Sequence, residues 1–495
     1  MPLWDRAGVC ALSSSAATVP RGGPPLADSN RLPTAASRRR NAWSGTIATV
    51  NASTGTPLPA TTSRAVIDLD AIAHNAHVLA AVGGVPWMAV VKADAYGHGI
   101  GPVARTCLRA GATWLGVAQL AEALRLRALL DAAGVARPSR NPDSVPTPER
   151  PRLLCWLLPV LTPEQAAAPG SPLRAALASG LDLSVSTRAQ LDAIVAAARA
   201  ELDDSADGQP APGPARIHLK VDTGMSRGGA TPTDLPALAE AIKLAEQSGT
   251  IAMVGLWSHL SRADEPASGS TEKHLSRFLA AERVVAEAGL NPRVRHLAAT
   301  AGLLWQPDTR LDLVRIGIGL YGLSPDPAVA TSAALDLRPA MRLEAPLTQV
   351  RRIPAGQAVS YGGTWRAPTD RWLGLVPLGY GDGIPRAASN GGPAAVNGIR
   401  SAIVGRVCMD QVVIDLGPAT TPEGAPVPPP AAAGDTVVLW GAGDDATTPT
   451  ADDWAQVCST INYEIVTRLG ERVPRVLTGR DATRLPAPHY QETRA

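Results

Sequence analysis

Lys92 stands at the tip of a short apolar run in the stretch VVKADAYGHG, and its position is unusual for a surface cation. Residues 87–91 are apolar and partly β-branched, a composition typical of a buried strand. A buried amine with a lowered pKa can form a Schiff base with a carbonyl cofactor, and Tyr96, four residues on, can donate to a phosphate. The stretch therefore indicates a cofactor site, with a snorkelling surface lysine as the plain alternative.

Further polar residues lie in or just after apolar runs along the chain. Lys220 and Arg227 occur in HLKVDTGMSR, His259 in WSHLSRADE, Thr300 in RHLAATAG and Arg315 in LVRIGIGLYG. The plain alternatives are an ion pair for Lys220 and a satisfied core histidine for His259. Arg315 is harder to explain as structural, because a cation that cannot lose its proton needs a fixed acceptor such as an aromatic nitrogen.

The elements that position these residues repeat one unit, a short apolar strand followed by an amphipathic helix. Order begins at Arg64 with a strand that runs into a helix, for which Asp70 is the expected N-cap. Two proline-rich stretches, 137–151 and 203–214, fall between a helix and the next strand, where insertions lie far from the chemistry. The pattern predicts a (β/α)8 TIM-type barrel with strands near 87–92, 113–117, 153–158, 182–185, 216–221, 252–258, 295–298 and 312–316.

After Leu323 the apolar runs become short and are separated by Gly and Pro, which indicates a mostly β C-terminal domain. We therefore expect four segments. Residues 1–62 form a disordered extension, 63–325 the barrel, 326–482 the mostly β domain, and 483–495 a tail.

Composition excludes several classes of function. The 495 residues carry 46 Lys and Arg against 44 Asp and Glu, a net charge of +2, which provides no field suited to nucleic acid or an anionic membrane. The five cysteines show no metal-binding spacing, and they suit a reducing, cytoplasmic compartment. No apolar run has the length of a membrane span. A small-molecule partner and no metal are the expectation.

The motifs VVKADAYGHG, HLKVDTGMSR, WSHLSRADE, VRIGIGLYG, VSYGGTW, GRVCMDQ and INYE occur in the order and spacing of the alanine racemase family, which the chain resembles from Arg64 to Val476. The resemblance implies a cytoplasmic, homodimeric isomerase that uses pyridoxal 5'-phosphate to interconvert L- and D-alanine. It also implies that the D-alanine supplies peptidoglycan synthesis.

The resemblance assigns the cofactor to one set of residues. Lys92 is similar to the lysine that binds the cofactor covalently, and Arg315 to the arginine that faces the pyridine nitrogen. The remaining expected cofactor-binding residues are Tyr96, His259, Thr300, Gly317, Ile318 and Tyr463.

It assigns catalysis to two bases on opposite faces of the cofactor, because racemisation removes a proton from one face of Cα and delivers another to the opposite face. Lys92 is one, and Tyr361, reaching across from the partner subunit, is the other. Arg227 and His259 surround that tyrosine. Arg227 and Met409 are expected to contact substrate, while Lys220, which matches a lysine often carbamylated in the family, Asp410 and Tyr380 support the site.

Two positions depart from the family pattern, and three rivals stay open. Ala299 stands where an asparagine is common, and Ser226 where a glycine is usual. A decarboxylase of the same barrel type would need an acidic partner for the pyridine nitrogen and a catalytic cysteine. A non-catalytic cofactor carrier resembles the first domain alone. A racemase of another small amino acid such as serine shares the framework.

Overall fold

The computed structural model describes residues 63–204, 213–442 and 447–480, so the predicted extension 1–62 and tail 483–495 lie outside the described residues. Within them, an eight-stranded parallel sheet confirms the predicted barrel. In sheet order its strands are Val294–His296, Ile251–Trp257, Ala215–Lys220, Asp182–Val185, Arg152–Leu157, Trp114–Gln119, Trp87–Val90 and Val314–Ile316.

Backbone hydrogen bonds draw the two end strands of this sheet together. The Asp312 N–H donates to the Arg295 carbonyl at 3.1 Å, and the Arg315 N–H donates to the Ala298 carbonyl at 3.0 Å. Strands such as Trp87–Val90 are buried at every position, because the helices cover their outer faces and the barrel interior covers the inner ones. The carboxyl ends of these strands therefore meet at one mouth.

Helices alternate with the barrel strands, as predicted. They are Leu69–Gly83, Ile100–Arg109, Leu120–Ala132, Pro163–Ala167, Pro172–Ala178, Arg188–Asp203, Leu235–Gln247, Ser270–Glu287 and Thr300–Trp305. The expected N-cap was wrong by two residues. The carboxylate of Asp68, not Asp70, accepts from the Asp70 and Ala71 N–H groups at 2.9 and 3.1 Å, because the strand ends at Asp68, two residues earlier than its apolar pattern suggests.

The second domain is mostly β, as predicted. A six-stranded sheet contains, in order, Ile399–Ala402, Pro393–Val396, Thr436–Trp440, Met341–Pro346, Arg64–Asp68 and Arg475–Thr478. A three-stranded sheet contains Gln349–Ile353, Arg371–Val376 and Val412–Pro418, and a two-stranded ribbon contains Ala358–Val359 and Trp365–Arg366. The helices Ala451–Val457 and Asn462–Thr467 complete the domain.

The first described strand belongs to this second sheet rather than to the barrel. Arg64–Asp68 pairs antiparallel with Met341–Pro346 and parallel with Arg475–Thr478. The two ends of the described chain therefore meet in one sheet, while the boundaries 63–325 and 326–482 stay a prediction. Along the described ranges, no helix is long and apolar enough to cross a membrane.

Candidate active site at the barrel mouth

A left-handed turn carries Lys92 away from its strand. Residues 93–96 all have positive φ, between 52° and 56°, although none is glycine. A left-handed backbone costs a non-glycine residue roughly 1–2 kcal/mol, so neighbouring contacts must hold the turn. Glu122 accepts the Ala93 N–H at 2.6 Å, and Asp94 accepts the Ile100 N–H at 3.0 Å.

The turn brings the Lys92 amine and the Tyr96 phenol to the same side of the mouth. The Lys92 Nζ lies 5.9 Å from the centre of the Tyr96 ring. Burial, followed by the charges of Arg227 and Arg315, lowers the pKa of Lys92, although Glu122 opposes the shift. A larger share of the amine is therefore unprotonated at neutral pH than in a solvated lysine.

Hydroxyl groups converge on the side of the mouth where a phosphate is expected. Tyr96 stacks on Tyr321 at 4.6 Å between ring centres, and the Tyr463 ring lies 6.3 Å from it. The Thr300 hydroxyl accepts the Gly317 N–H at 3.0 Å. A Cβ on Gly317 would lie 2.7 Å from the Tyr96 hydroxyl, so this glycine leaves room that a side chain would fill. The cradle suits a phosphate monoester.

Arg315 is buried and held by five acceptors, of which His296 Nδ1, 3.2 Å from Nη1, is one. Its Nη1 donates to the His296 carbonyl at 2.8 Å, and its Nη2 donates to the carbonyls of Ser258 and Leu297 at 2.8 and 3.0 Å and to His259 Nδ1 at 3.1 Å. Burial lowers the pKa of Arg315 to about 9, which keeps it charged at neutral pH. These hydrogen bonds engage only the terminal nitrogens, so Nε is suited to a pyridine nitrogen.

Cations dominate the electrostatics of the mouth. Burial, and then the charges of Arg315, Arg227, Lys92 and Lys220, lower the pKa of His259 well below its ordinary value. The imidazole is therefore neutral, and its Nδ1 accepts from Arg315. The Lys220 Nζ lies 5.0 Å from the centre of the Trp257 ring, and burial followed by Arg227 lowers the Lys220 pKa.

Ser226, one of the two departures from the family pattern, has a φ of 57°. Glycine adopts this conformation without the clash that a Cβ causes, which explains why glycine is usual there. Asp222 stabilises the loop by accepting the N–H groups of Gly224 and Ser226 at 2.9 and 3.1 Å. The loop thus reaches Arg227 in spite of the substitution.

Tyr361 and Met409 lie apart from these residues, on the second domain. Tyr361 is 70% exposed and Met409 is 52% exposed. Both line a groove of about 460 Å³ whose lining residues all fall between Gln349 and Val413, so the second domain alone builds it. Within one chain this groove does not include Lys92.

The other expected supporting residues also lie on the second domain. Tyr380 is 45% exposed and begins a short 3-10 turn. Asp410 lines the groove and accepts from Arg472 at 2.8 Å. Ile318 follows Gly317 and is buried behind the mouth.

Sequence reasoning missed two residues that touch the site. Tyr321 supports the Tyr96 ring and donates to the Val90 carbonyl at 2.9 Å. His296 contacts Arg315, its Nδ1 lying 3.2 Å from Nη1. The sequence signal for His296 is its place in a three-residue barrel strand, because alternate side chains of such a strand face the barrel interior.

Comparison with known proteins gives one consistent family. Residues 67–325 match the alanine racemase N-terminal domain, and residues 340–477 match the alanine racemase C-terminal domain. The chain is 47% identical to an alanine racemase of Thermobifida fusca over 420 residues, 84% of this chain and 98% of the relative. It is 49% identical to one of Beutenbergia cavernae over 422 residues, 85% and 99% of the two chains.

Comparison with solved structures gives the same family. The alanine racemase of a D-cycloserine producing Streptomyces lavendulae superposes with a TM-score of 0.73 at 43% identity, covering 86% of this chain and 98% of that one. The alanine racemase of Streptomyces coelicolor A3(2) superposes with a TM-score of 0.72 at 44% identity, covering 84% and 98%.

Proposed function

The chain belongs to the alanine racemase family, and we propose that Lys92 and Tyr361 are the two bases with which it interconverts L- and D-alanine. The protein is a pyridoxal-phosphate-dependent isomerase, as its family is. The observation that supports the residue roles best is the convergence of one half-buried amine, one hydroxyl-lined cradle and one fixed guanidinium at a single mouth.

These residues fit pyridoxal phosphate part by part. Lys92 would supply the amine that its aldehyde requires, Tyr96, Thr300 and Tyr463 would offer hydroxyls to its phosphate, and Arg315 would donate to its pyridine nitrogen. When bound, the cofactor supplies the electron sink that makes the α-proton of alanine acidic. Arg315 can donate a hydrogen bond without surrendering its proton, so it would leave the pyridine nitrogen of a bound cofactor neutral and would disfavour side reactions such as transamination.

Lys92 moves a proton at one face of Cα, and its lowered pKa makes the unprotonated amine available for that step. Tyr361 moves a proton at the opposite face. Arg227 and the N–H of neutral His259 stabilise the phenolate form of that tyrosine, because a nearby cation or donor favours the charged form. Substrate carboxylate is attracted to the same cationic mouth.

Tyr361 reaches the mouth from a second copy of the chain. The proposal rests on the contrast between the half-buried Lys92 at the barrel mouth and the exposure of Tyr361, Met409 and Tyr380 on the second domain. We infer a homodimer in which each mouth is completed by the partner's groove, in the cytoplasm, where D-alanine serves peptidoglycan synthesis.

The test combines absorbance with optical rotation. The purified protein should show a visible cofactor band that Lys92→Ala abolishes and that Lys273→Ala, an exposed control on the helix Ser270–Glu287, preserves. Optical rotation of L-alanine should decay to zero with the wild-type protein, and Tyr361→Phe should abolish this decay while it keeps the cofactor band. A bound cofactor without racemisation would favour the carrier function, and unchanged rates in Tyr361→Phe would refute the second base.

A further inference from the structure

A column of polar side chains runs through the barrel interior, where apolar layers are the rule. Asp182, His218 and His296 are each fully buried, at 0% exposure. They come from three different strands, and a Cβ on Gly255 would collide with His218 Nδ1, so the glycine makes room for the imidazole. Buried polar groups of this kind are costly unless every one is paired.

The column is a continuous hydrogen-bonded chain that ends in the active site. His218 Nε2 lies 3.3 Å from Asp182 Oδ2, and His218 Nδ1 lies 3.0 Å from His296 Nε2. His296 Nδ1 lies 3.2 Å from Arg315 Nη1, and Arg315 Nη2 lies 3.1 Å from His259 Nδ1. Five side chains thus connect the barrel floor to the mouth.

The two ends of the chain determine where every proton lies. A guanidinium donates only, so the Nδ1 atoms of His296 and His259 are acceptors and the proton of each ring is on Nε2. His296 then donates to His218 Nδ1, which places the His218 proton on Nε2, facing Asp182. A carboxylate can only accept, so Asp182 also requires the His218 proton to be on Nε2. The hydrogen-bond directions that Asp182 and Arg315 require therefore agree.

Burial keeps all three rings neutral. It is the largest cause lowering the pKa of His218, and it lowers the pKa of His296 and of His259 well below the ordinary value. A neutral ring carries one N–H and one lone pair, which a directed chain requires.

The segment 137–151 covers the bottom of the column, although the sequence pattern predicts that this segment lies far from the chemistry. Asp182 pairs with Arg216 at 2.6 Å and with Arg152 at 3.6 Å. Arg152 donates to the Ser144 carbonyl at 2.8 Å, and Arg216 donates to another carbonyl of this segment at 3.0 Å. The segment touches no reacting group, yet it helps to enclose the anion at the end of the column.

We propose that Asp182 and His218 are positioning residues that set the proton position of His296 and thereby hold Arg315 in its donating orientation. Through Arg315 they keep the N–H of His259 directed away from the guanidinium and toward the mouth. This inference rests on the proposed function, in which Arg315 and His259 act at the cofactor and at Tyr361. The proposal predicts the position of the ring proton on three histidines, which can be measured without enzyme turnover.

The first experiment measures tautomers in the full-length holoenzyme labelled with 15N-histidine, by solid-state NMR near neutral pH. Protonated and unprotonated ring nitrogens give well separated shifts, and single histidine substitutions assign them. We expect the Nε2–H tautomer at His218, His296 and His259. A proton on Nδ1 of any of the three in the wild-type protein would overturn the proposal, whatever the enzyme's activity.

The second experiment compares two variants at one position. His218→Leu removes the acceptor of His296, whereas His218→Gln can accept from His296 through its carbonyl and donate to Asp182 through its amide. We expect His218→Leu to populate the second tautomer of His296, because a buried Nε2–H without an acceptor is costly and Arg315 Nη1 keeps the His296 carbonyl as its other acceptor. The loss of orientation should lower kcat at least about tenfold, with KM changed less than about twofold, because substrate contacts remain. His218→Gln should restore the tautomer and most of kcat.

An unchanged His296 tautomer in His218→Leu, or equal kcat losses in His218→Leu and His218→Gln, would contradict the column's role. Should wild-type protein lack racemase activity, the proposed function would fail, and the tautomer measurement would still decide the column.

Discussion

Replacing Gly317 with alanine would place a methyl carbon 2.7 Å from the Tyr96 hydroxyl and 3.5 Å from the carbon that bears it. Tyr96 has little room to retreat, because it is buried and stacked on Tyr321. Overpacking of this kind costs about 1–3 kcal/mol. A hydrogen bond from the displaced hydroxyl to a charged phosphate contributes about 1.5–3 kcal/mol, so Gly317→Ala should weaken pyridoxal phosphate binding about 10- to 150-fold.

The assay is a titration of cofactor-free protein with pyridoxal phosphate, followed by absorbance, in a double-mutant cycle with Tyr96→Phe. Because Tyr96→Phe has already removed the hydroxyl, Gly317→Ala should add less than about fivefold in that background. Gly83→Ala is the matched control, since its new Cβ would meet nothing nearer than 3.4 Å. Additive losses in the double variant would refute the argument that the glycine makes room for this phenol.

Three further outcomes follow from the backbone and the buried titratable groups. Ser226→Gly should leave the free energy of unfolding unchanged or raise it by up to about 1 kcal/mol, since glycine accepts a φ of 57° without strain; a clear loss in urea unfolding would contradict this. Burial lowers the pKa of His98 to about 4, below the 6.5 of an unfolded histidine. The free energy of unfolding should therefore be highest above pH 6.5, and protonation of the unfolded histidine should lower it by about 3 kcal/mol toward pH 4. His98→Gln should flatten that slope in unfolding curves measured across this range, and an identical slope would exclude His98 as its cause. In cofactor-free protein, Lys92→Met should raise the free energy of unfolding at pH 7, because the folded state disfavours the charged lysine. This gain should vanish as the pH approaches 10.5, where the unfolded lysine also loses its proton, and a gain that does not change with pH would indicate a packing effect instead.

The barrel could be predicted because each of its strands is a short apolar run and each intervening helix is amphipathic. Lys92 could be located because a lone cation ends one such run. The left-handed turn at 93–96 could not be foreseen, because alanine and aspartate at these positions give no glycine-like signal. Contacts from Glu122, distant in sequence, hold the turn in place.

The polar column of Asp182, His218 and His296 could not be predicted from the sequence either. His218 is in HLKVDTGMSR and His296 in RHLAATAG, 78 residues apart, and only the closed sheet brings His218 Nδ1 and His296 Nε2 to 3.0 Å from each other. The strand Arg64–Asp68 pairs with the far end of the chain for the same reason. Pairings between segments distant in sequence depend on tertiary packing, which local periodicity does not encode.

The central claim is that Lys92 of one subunit works with Tyr361 of another, and subunit mixing tests it most directly. Lys92→Ala and Tyr361→Phe proteins, each inactive alone, are mixed by joint refolding, and mixed dimers are isolated through two different affinity tags. The unfractionated mixture should recover about a quarter of wild-type activity and the isolated mixed dimers about half, because half of the dimers are mixed and each of these has one intact mouth. Recovery near these two levels is the predicted result. Mixed dimers that form but stay inactive would place both residues in the same chain and contradict the account.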